Sequence, residues 1–138
     1  MAYEVFLGGS CNPTTWRSDI AIPTLQNLGI TYYNPVNNLN SLSLFSFIIA
    51  YEILQLNYVS QQVSQWGPEL IAQEYEAKQT ARVLLFVIDN QTRNSAGIIE
   101  AAQLAAIRSE SLVLVIYPYR QGQAILGETV STQYVHMI

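Results

Sequence analysis

The segment "RVLLFVIDNQTRNSAGIIEAAQLAAIR", residues 82–108, decides the fold. Its first part, "RVLLFVI", is apolar after the arginine, as is typical of a strand buried on both faces of a parallel sheet. A polar loop follows, and from Ala96 to Ile107 only Glu100 and Gln103 are polar. That last stretch predicts a helix that is apolar almost all round. The order of strand, loop and helix predicts one unit of an α/β protein.

The rest of the chain continues this pattern on both sides. Apolar runs predict four strands, at 3–9, 30–33, 82–88 and 111–118. Periodicity and helix-end signals predict helices within 16–29, 66–81 and 96–107, with Gly29 as a C-cap glycine. Continuous apolar strands that alternate with helices are typical of a doubly wound, flavodoxin-like parallel sheet with helices on both faces, which is a three-layer α/β/α fold. We expect the strands at 82–88 and 111–118 to be buried, and the tail after residue 118 to be loop with one short element.

Residues 36–61 interrupt the alternation. They contain no Gly, Pro, Lys, Arg or Asp, and Glu52 is their only charge. Joining Pro35 directly to Gln62 gives "YYNPQVSQWGPEL", which continues naturally. We therefore expect residues 1–138 to form a single domain with an insertion at 36–61. Our hypothesis is a retained intron, which the genomic sequence would decide by the presence or absence of splice signals at both ends.

Composition excludes several classes of partner. The chain has 138 residues, a net charge of −4 and no cluster of Lys or Arg, so we expect no nucleic-acid polymer as a partner. The apolar run at 42–51 is too short to cross a bilayer, which needs about 20 such residues, so we expect no membrane association. The start "MAYEVFLGG" leads almost directly into a strand, so we expect no secretory signal. Because Cys11 is the only cysteine, no intrachain disulfide can form, and we expect a cytoplasmic location.

Four polar stretches follow the four predicted strands, and parallel topology brings them to one edge of the sheet. In such sheets ligands bind beyond the carboxyl ends of the strands. The chain has no G-x-G-x-x-G and no P-loop motif, and we expect neither a cofactor nor a metal. An anionic ligand would have to be held by backbone N–H groups or by single arginines such as Arg17 or Arg93. The four stretches are "GGSCN" (8–12), "YYNP" (32–35), "DNQTRNS" (89–95) and "YPYRQGQ" (117–123).

Each candidate residue at this edge has a structural and a functional interpretation. Glu100 lies near a helix N-terminus, where the dipole favours a carboxylate by ~0.3–1 kcal/mol. A lone carboxylate on an apolar helix is nevertheless costly unless it is used or paired, which favours function. Asp89 either caps its loop or serves a ligand. Gly8 and Gly9 either form a tight turn or let a ligand approach the backbone. A nucleophilic Cys11 is disfavoured, because the sole histidine, His136, is a poor partner.

Three segments together resemble the nucleoside 2-deoxyribosyltransferase-like proteins, in the branch found in animals and microbes. They are "VFLGGSCNPTTWRSDIAIPTLQNLGITYYNP", "WGPELIAQEYEAKQTARVLLFVIDNQTR" and "SAGIIEAAQLA", and they cover most of the chain outside the insertion. The resemblance implies a glutamate nucleophile on the helix after the third strand, a position that Glu100 occupies. It implies a second acid before that strand, at Glu74, where better-known members carry Asp.

The resemblance also implies the rest of the site. Asn94 matches a position that is Asp in some transferases. With Asp89 taken as a third catalytic acid, the expected substrate-binding residues are Phe6, Gly8, Gly9, Ser10, Asn34 and Asn94. The implied reaction is deoxyribosyl transfer to another base, or hydrolysis, through a covalent Glu100 intermediate.

The implied ligands are a deoxynucleoside or deoxynucleotide and a nucleobase, bound by a homodimer or larger homo-oligomer. Three points stay open: which base is preferred, which acceptor is used, and whether the substrate is a nucleoside or its monophosphate. One alternative is a catalytically inactive ligand-sensing or scaffold domain on the same fold. A weaker one is a relative of domains that cleave NAD-like N-glycosides.

Overall fold

The structure is a computed structural model that describes residues 2–11, 13–38, 68–125 and 127–130. Of the insertion expected at 36–61, only residues 36–38 are described, so that hypothesis stays a prediction. His136 also lies outside the described residues.

Four strands form one all-parallel sheet in the order β2-β1-β3-β4. The two central strands pair along five residues, from Val5 opposite Val83 to Gly9 opposite Val87. A separate antiparallel pair, β5 and β6, follows the sheet in the chain and was not specified by the sequence pattern. The strands are β1 (Val5–Gly9), β2 (Tyr32–Tyr33), β3 (Val83–Ile88), β4 (Leu112–Ile116), β5 (Ala124–Ile125) and β6 (Glu128–Thr129).

Helices connect the strands where the sequence predicts them. A π-helical turn, Arg17–Ala21, continues directly into α1 (Ile22–Asn27), and this change of winding falls just before Pro23, whose ring cannot supply a helical N–H. The other helices are α2 (Pro68–Thr80) and α3 (Ser95–Ile107), with 3₁₀ turns at Pro35–Asn38 and Ser109–Ser111.

Gly29 ends α1 as predicted. Its φ of 67° is left-handed, and two backbone hydrogen bonds close the helix end, from Ile30 N to Leu25 O at 2.9 Å and from Gly29 N to Gln26 O at 3.1 Å. This pair is the Schellman arrangement, which glycine accommodates without steric cost.

Side chains that alternate along the strands pack into a separate core on each face of the sheet. The α2 and α3 face holds Phe6, Leu84 and Phe86 against alanines of both helices. The α1 face holds Val5, Leu7 and Val87 against Trp16 and Ala21. Helices on both faces of a parallel sheet make the three-layer α/β/α fold that the sequence predicted.

The burial predicted for residues 111–118 is wrong for the described chain. The strand forms, but Val113 to Ile116 are 37–48% exposed. β4 is the outermost strand of the described sheet, so it has a neighbour on one side only. A continuous apolar sequence therefore indicates a strand here, but it does not show whether that strand is central or at the edge of the sheet. None of the helices in the described ranges has the length and apolar content needed to cross a membrane.

Gly9 is a position where the fold requires glycine. Its φ is 94°, and a Cβ would lie 2.2 Å from the backbone oxygen of Val87. Gly29 provides a matched control, because its φ is also positive but a Cβ there meets nothing within 4 Å. We expect Gly29→Ala to lower the free energy of unfolding by about 1 kcal/mol and Gly9→Ala by about 1–3 kcal/mol more. Urea denaturation of both variants measures this difference, and equal losses would contradict the close approach.

Candidate active site

The strand order places a crevice between β1 and β3. From β1 the chain crosses to β2 on one side, whereas β3 and β4 continue on the other. This reversal is the switch point at which open α/β sheets bind ligands, beyond the carboxyl ends of the strands. The end of β1 brings Gly8 and Gly9 to the crevice, and α2 and α3 line it from the same face.

Two buried carboxylates meet one ammonium in this crevice. Glu100 on α3 and Glu74 on α2 are only 4% and 6% exposed. Lys78 Nζ donates a hydrogen bond to Glu100 Oε1 and lies 3.3 Å from Glu74 Oε1. These three residues form what we name the glutamate–lysine cluster. With all three groups ionised the cluster carries one net negative charge, which the guanidinium of Arg17 in the same pocket balances. The two carboxylates favour a cation that develops directly beside them.

The two helices bring the cluster together for local reasons. Glu74 and Lys78 are four residues apart, so their side chains lie over one another on the same face of α2. Both helices pack on the same face of the sheet, where Ala77 of α2 and Ala101 of α3 belong to one buried core cluster. This shared face brings Glu100 within reach of Lys78.

Aromatic rings form the floor under the cluster. Lys78 Nζ lies 5.2 Å from the centre of the Phe6 ring, a cation–π distance. Phe6 in turn stacks on Tyr33 and on Phe86, with ring centres 5.7 and 6.1 Å apart. Gly8 makes room for Phe86, since a Cβ would lie 2.3 Å from that ring.

The pocket itself is narrow, with a cavity of about 10 Å³, about enough for one water molecule. Five of the residues expected at the site line it together. The full lining is Phe6, Gly8, Gly9, Cys11, Arg17, Pro35, Glu74 and Glu100.

Arg17 fixes the carbonyl end of β1. Its buried guanidinium donates hydrogen bonds to the backbone oxygens of Leu7, Gly9 and Ser10. Burial lowers the pKa of Arg17 from its ordinary value, and the neighbouring Cys11 and Glu74 oppose that shift. Because these donors are committed to the protein backbone, Arg17 is poorly placed to hold an anionic ligand as well.

Ser10 joins the loops after β1 and β3. Its fully buried hydroxyl accepts hydrogen bonds from Asp89 N at 2.8 Å and from Asn94 Nδ2 at 3.1 Å. Asn94 has a left-handed backbone, with φ 38°, and its amide lies where a Cβ on Gly97 would stand. Asp89 Oδ1 accepts from Gln91 N at 2.6 Å, which is the loop-capping interpretation of that residue.

Asn34 holds the turn after β2 in a similar way. Its Oδ1 accepts from Val36 N at 3.2 Å, beside Pro35, which lines the pocket. Four of the nine expected site residues therefore lie around the pocket, bonded to the loops, and do not line it. They are Ser10, Asn34, Asp89 and Asn94.

Lys78 is the functional candidate that sequence reasoning missed. One signal could have found it: Lys78 is the only lysine in the sequence, and it lies one helical turn after Glu74. Among the described residues, no group of three or more His, Cys, Asp or Glu side chains could hold a metal ion.

Comparison with known proteins adds a family relationship. The family model described as nucleoside 2-deoxyribosyltransferase like matches residues 2–119 of the 138-residue chain. That range contains every residue that lines the pocket. No curated protein and no solved structure matches the chain.

Ser10 should contribute more to stability than an ordinary surface serine. Ser10→Ala removes the acceptor of the buried Asp89 N–H and of the partly buried Asn94 amide, so we expect a loss of about 1–3 kcal/mol in the free energy of unfolding. The exposed Ser18, which bonds Thr15 O and Asp19, is the matched control, and Ser18→Ala should stay within about 0.5 kcal/mol. Equal effects in thermal or urea unfolding would show that Ser10 does not join the two loops.

Cys11 should be a poor nucleophile. Burial raises the pKa of its thiol, an effect that nearby Arg17 only partly offsets, and the thiol donates to Gly9 O at 3.5 Å. A raised pKa leaves less thiolate at neutral pH, so we expect alkylation by iodoacetamide at pH 8 to be roughly tenfold or more slower than for a free thiol. The rate should reach the free-thiol value in denaturant. Alkylation of the folded protein at the rate of a free thiol would contradict the burial and raised pKa of the Cys11 thiol.

Proposed function

The chain belongs to the nucleoside 2-deoxyribosyltransferase-like family, and we propose that it cleaves the N-glycosidic bond of a 2′-deoxynucleoside through a covalent intermediate on Glu100. One observation carries the proposal. Glu100 is a buried carboxylate on an otherwise apolar helix, it lines the crevice pocket, and its partner there is an ammonium. A buried carboxylate is costly to maintain, and such groups concentrate at sites that use them.

In the first half of the proposed reaction, a Glu100 oxygen attacks C1′ of the deoxyribose. The C1′–O bond forms as the C1′–N bond breaks, and the electron pair of the broken bond goes to the base, which takes up a proton from water. The transition state resembles an oxocarbenium ion, and the carboxylates beside the sugar lower its energy. In the second half, a nitrogen of another base or a water molecule attacks C1′, loses a proton to water and restores the carboxylate.

Glu74 is suited to a supporting role. It lines the same pocket as Glu100 and pairs with Lys78, so its carboxylate lies beside the reacting sugar in this proposal. There it would hold a sugar hydroxyl or assist proton transfer to the leaving base, a contribution of about 10²–10⁴-fold for general acid–base groups. Phe6 and Gly8 would offer a flat, close floor to the sugar or base.

The hydrogen-bond partners of the two nearby cations favour an uncharged nucleoside over a monophosphate. Lys78 is paired with two carboxylates, and the hydrogen bonds of Arg17 go to backbone carbonyls. A deoxynucleoside is much larger than the cavity, so its binding requires the lining side chains to move apart.

A substrate panel tests the proposal. Wild type is incubated with 2′-deoxynucleosides and their monophosphates, with and without a second base, and base release or exchange is followed by chromatography. We expect Glu100→Gln, which keeps the shape but loses the nucleophile, to reduce turnover by about 10³-fold or more. Glu74→Gln should reduce it about 10²-fold. Glu110→Gln is the matched control, because Glu110 is exposed in a 3₁₀ turn, and it should match wild type.

The products separate the alternatives. Exchange of bases identifies a transferase, and free base without exchange identifies a hydrolase. A folded wild type that turns over no member of the panel would contradict the proposal and favour a ligand-sensing domain, for which binding without turnover is the signature.

A further inference from the structure

Lys78 occupies an unusual place for a lysine. It is the only one in the chain, and its side chain is 11% exposed, whereas lysines ordinarily keep the ammonium in water. The buried ammonium lies against one carboxylate from its own helix and one from α3, above the Phe6 ring.

Lys78 contacts both carboxylates of the crevice, although one would suffice to neutralise its ammonium. Arg17 lines the same pocket and adds a second positive charge near Glu74. The partner of Lys78 on α3 is also the proposed nucleophile. Without the ammonium, two buried carboxylates would face the same point, and such pairs take up a proton because like charges repel in a water-poor site. A protonated Glu100 could not attack C1′.

We propose that Lys78 is a positioning residue, which keeps Glu100 ionised and oriented before attack and transfers its ion pair to Glu74 when Glu100 becomes an ester. This inference rests on the proposed function. Lys78 binds Oε1 of Glu100, which leaves Oε2 to form the bond to C1′. Esterification removes the charge of Glu100, and the ammonium then pairs with Glu74, which already lies 3.3 Å away.

The charges balance through the cycle. Two carboxylates and one ammonium carry one net negative charge before attack. One carboxylate and one ammonium carry none in the ester, since the electron pair of the broken C1′–N bond has left with the base. When a base or water cleaves the ester, Glu100 regains its charge and its bond to Lys78. Arg17 and the Cys11 thiol also line the pocket, and neither changes its charge in this sequence.

Kinetics of four variants test the proposal with the deoxynucleoside that wild type turns over. Lys78→Met keeps the length of the side chain and removes its charge, so kcat should fall about 10²-fold while KM changes little. Lys78→Arg should recover at least about tenfold of that loss, because it restores the positive charge. In the Glu74→Gln background the same Lys78→Met change should cost less than about tenfold, since the second carboxylate is absent. Arg82→Met, an exposed basic residue at the opposite end of β3, is the control.

Two results would overturn the proposal: a Lys78→Met enzyme within about threefold of wild-type kcat, or an equal loss in both backgrounds. If wild type itself is inactive, the proposed function fails and this inference fails with it. If wild type is active and Lys78→Met keeps the wild-type kcat, this inference fails and the proposed function stands.

A spectroscopic measurement on the unaltered protein covers the case in which Lys78→Met does not fold. Lysine labelled with ¹⁵N gives a single side-chain signal, because the chain has one lysine. We expect this signal to shift when substrate forms the ester and to return when substrate is exhausted. A signal that stays unchanged during turnover would overturn the transfer of the ion pair.

Discussion

Two carboxylates buried beside a single ammonium are the constraint on which the arrangement of the crevice depends. Removing one partner of a buried ion pair lowers stability by about 3–5 kcal/mol, because the other charge is left without compensation. The cluster therefore requires Glu74 and Lys78 on one face of α2 and Glu100 directly opposite on α3. The two helices share one core on this face of the sheet, to which Ala77 and Ala101 belong. In this way helix packing, which is a matter of stability, sets the geometry of the proposed chemistry.

A second network, centred on a cation, holds the other wall of the crevice. The Arg17 guanidinium donates to the backbone oxygens of Leu7, Gly9 and Ser10 at the end of β1, and the Ser10 hydroxyl ties that end to the loop after β3. Gly9 allows β1 and β3 to approach closely at this end, because its backbone lies against Val87 where no side chain fits. These contacts keep the strand ends rigid, so the moving parts in the proposed reaction are the side chains of the cluster.

The sequence was informative where chemistry and periodicity coincide. The strands, the helices and the cap at Gly29 follow from apolar runs and helix-end signals, and Glu100 stands out as one conspicuous acid on an apolar helix, whereas Glu74 was expected at the site only from the family resemblance. Other features depend on contacts between distant segments, which no local pattern contains. Ser10, Asp89 and Asn94 lie at the expected edge of the sheet. There the Ser10 hydroxyl accepts from Asp89 N and Asn94 Nδ2, and the Asp89 carboxylate caps its own loop. The role of Lys78 depends on Glu100 from a different helix, so the pattern around Lys78 does not single it out. The edge position of β4 is set by the strand order, which its apolar sequence does not reveal.

The proposed reaction requires a covalent bond between Glu100 and the sugar, and trapping that bond is the decisive experiment. Wild type and Glu100→Gln would be mixed with a deoxynucleoside, quenched in acid within the first turnovers, and studied by intact-mass and peptide mass spectrometry. We expect one deoxyribosyl group on wild type, located on the peptide that contains Glu100, and none on the variant. A deoxyribosyl group on Glu74 or Cys11, or turnover with no adduct at any quench time, would contradict it.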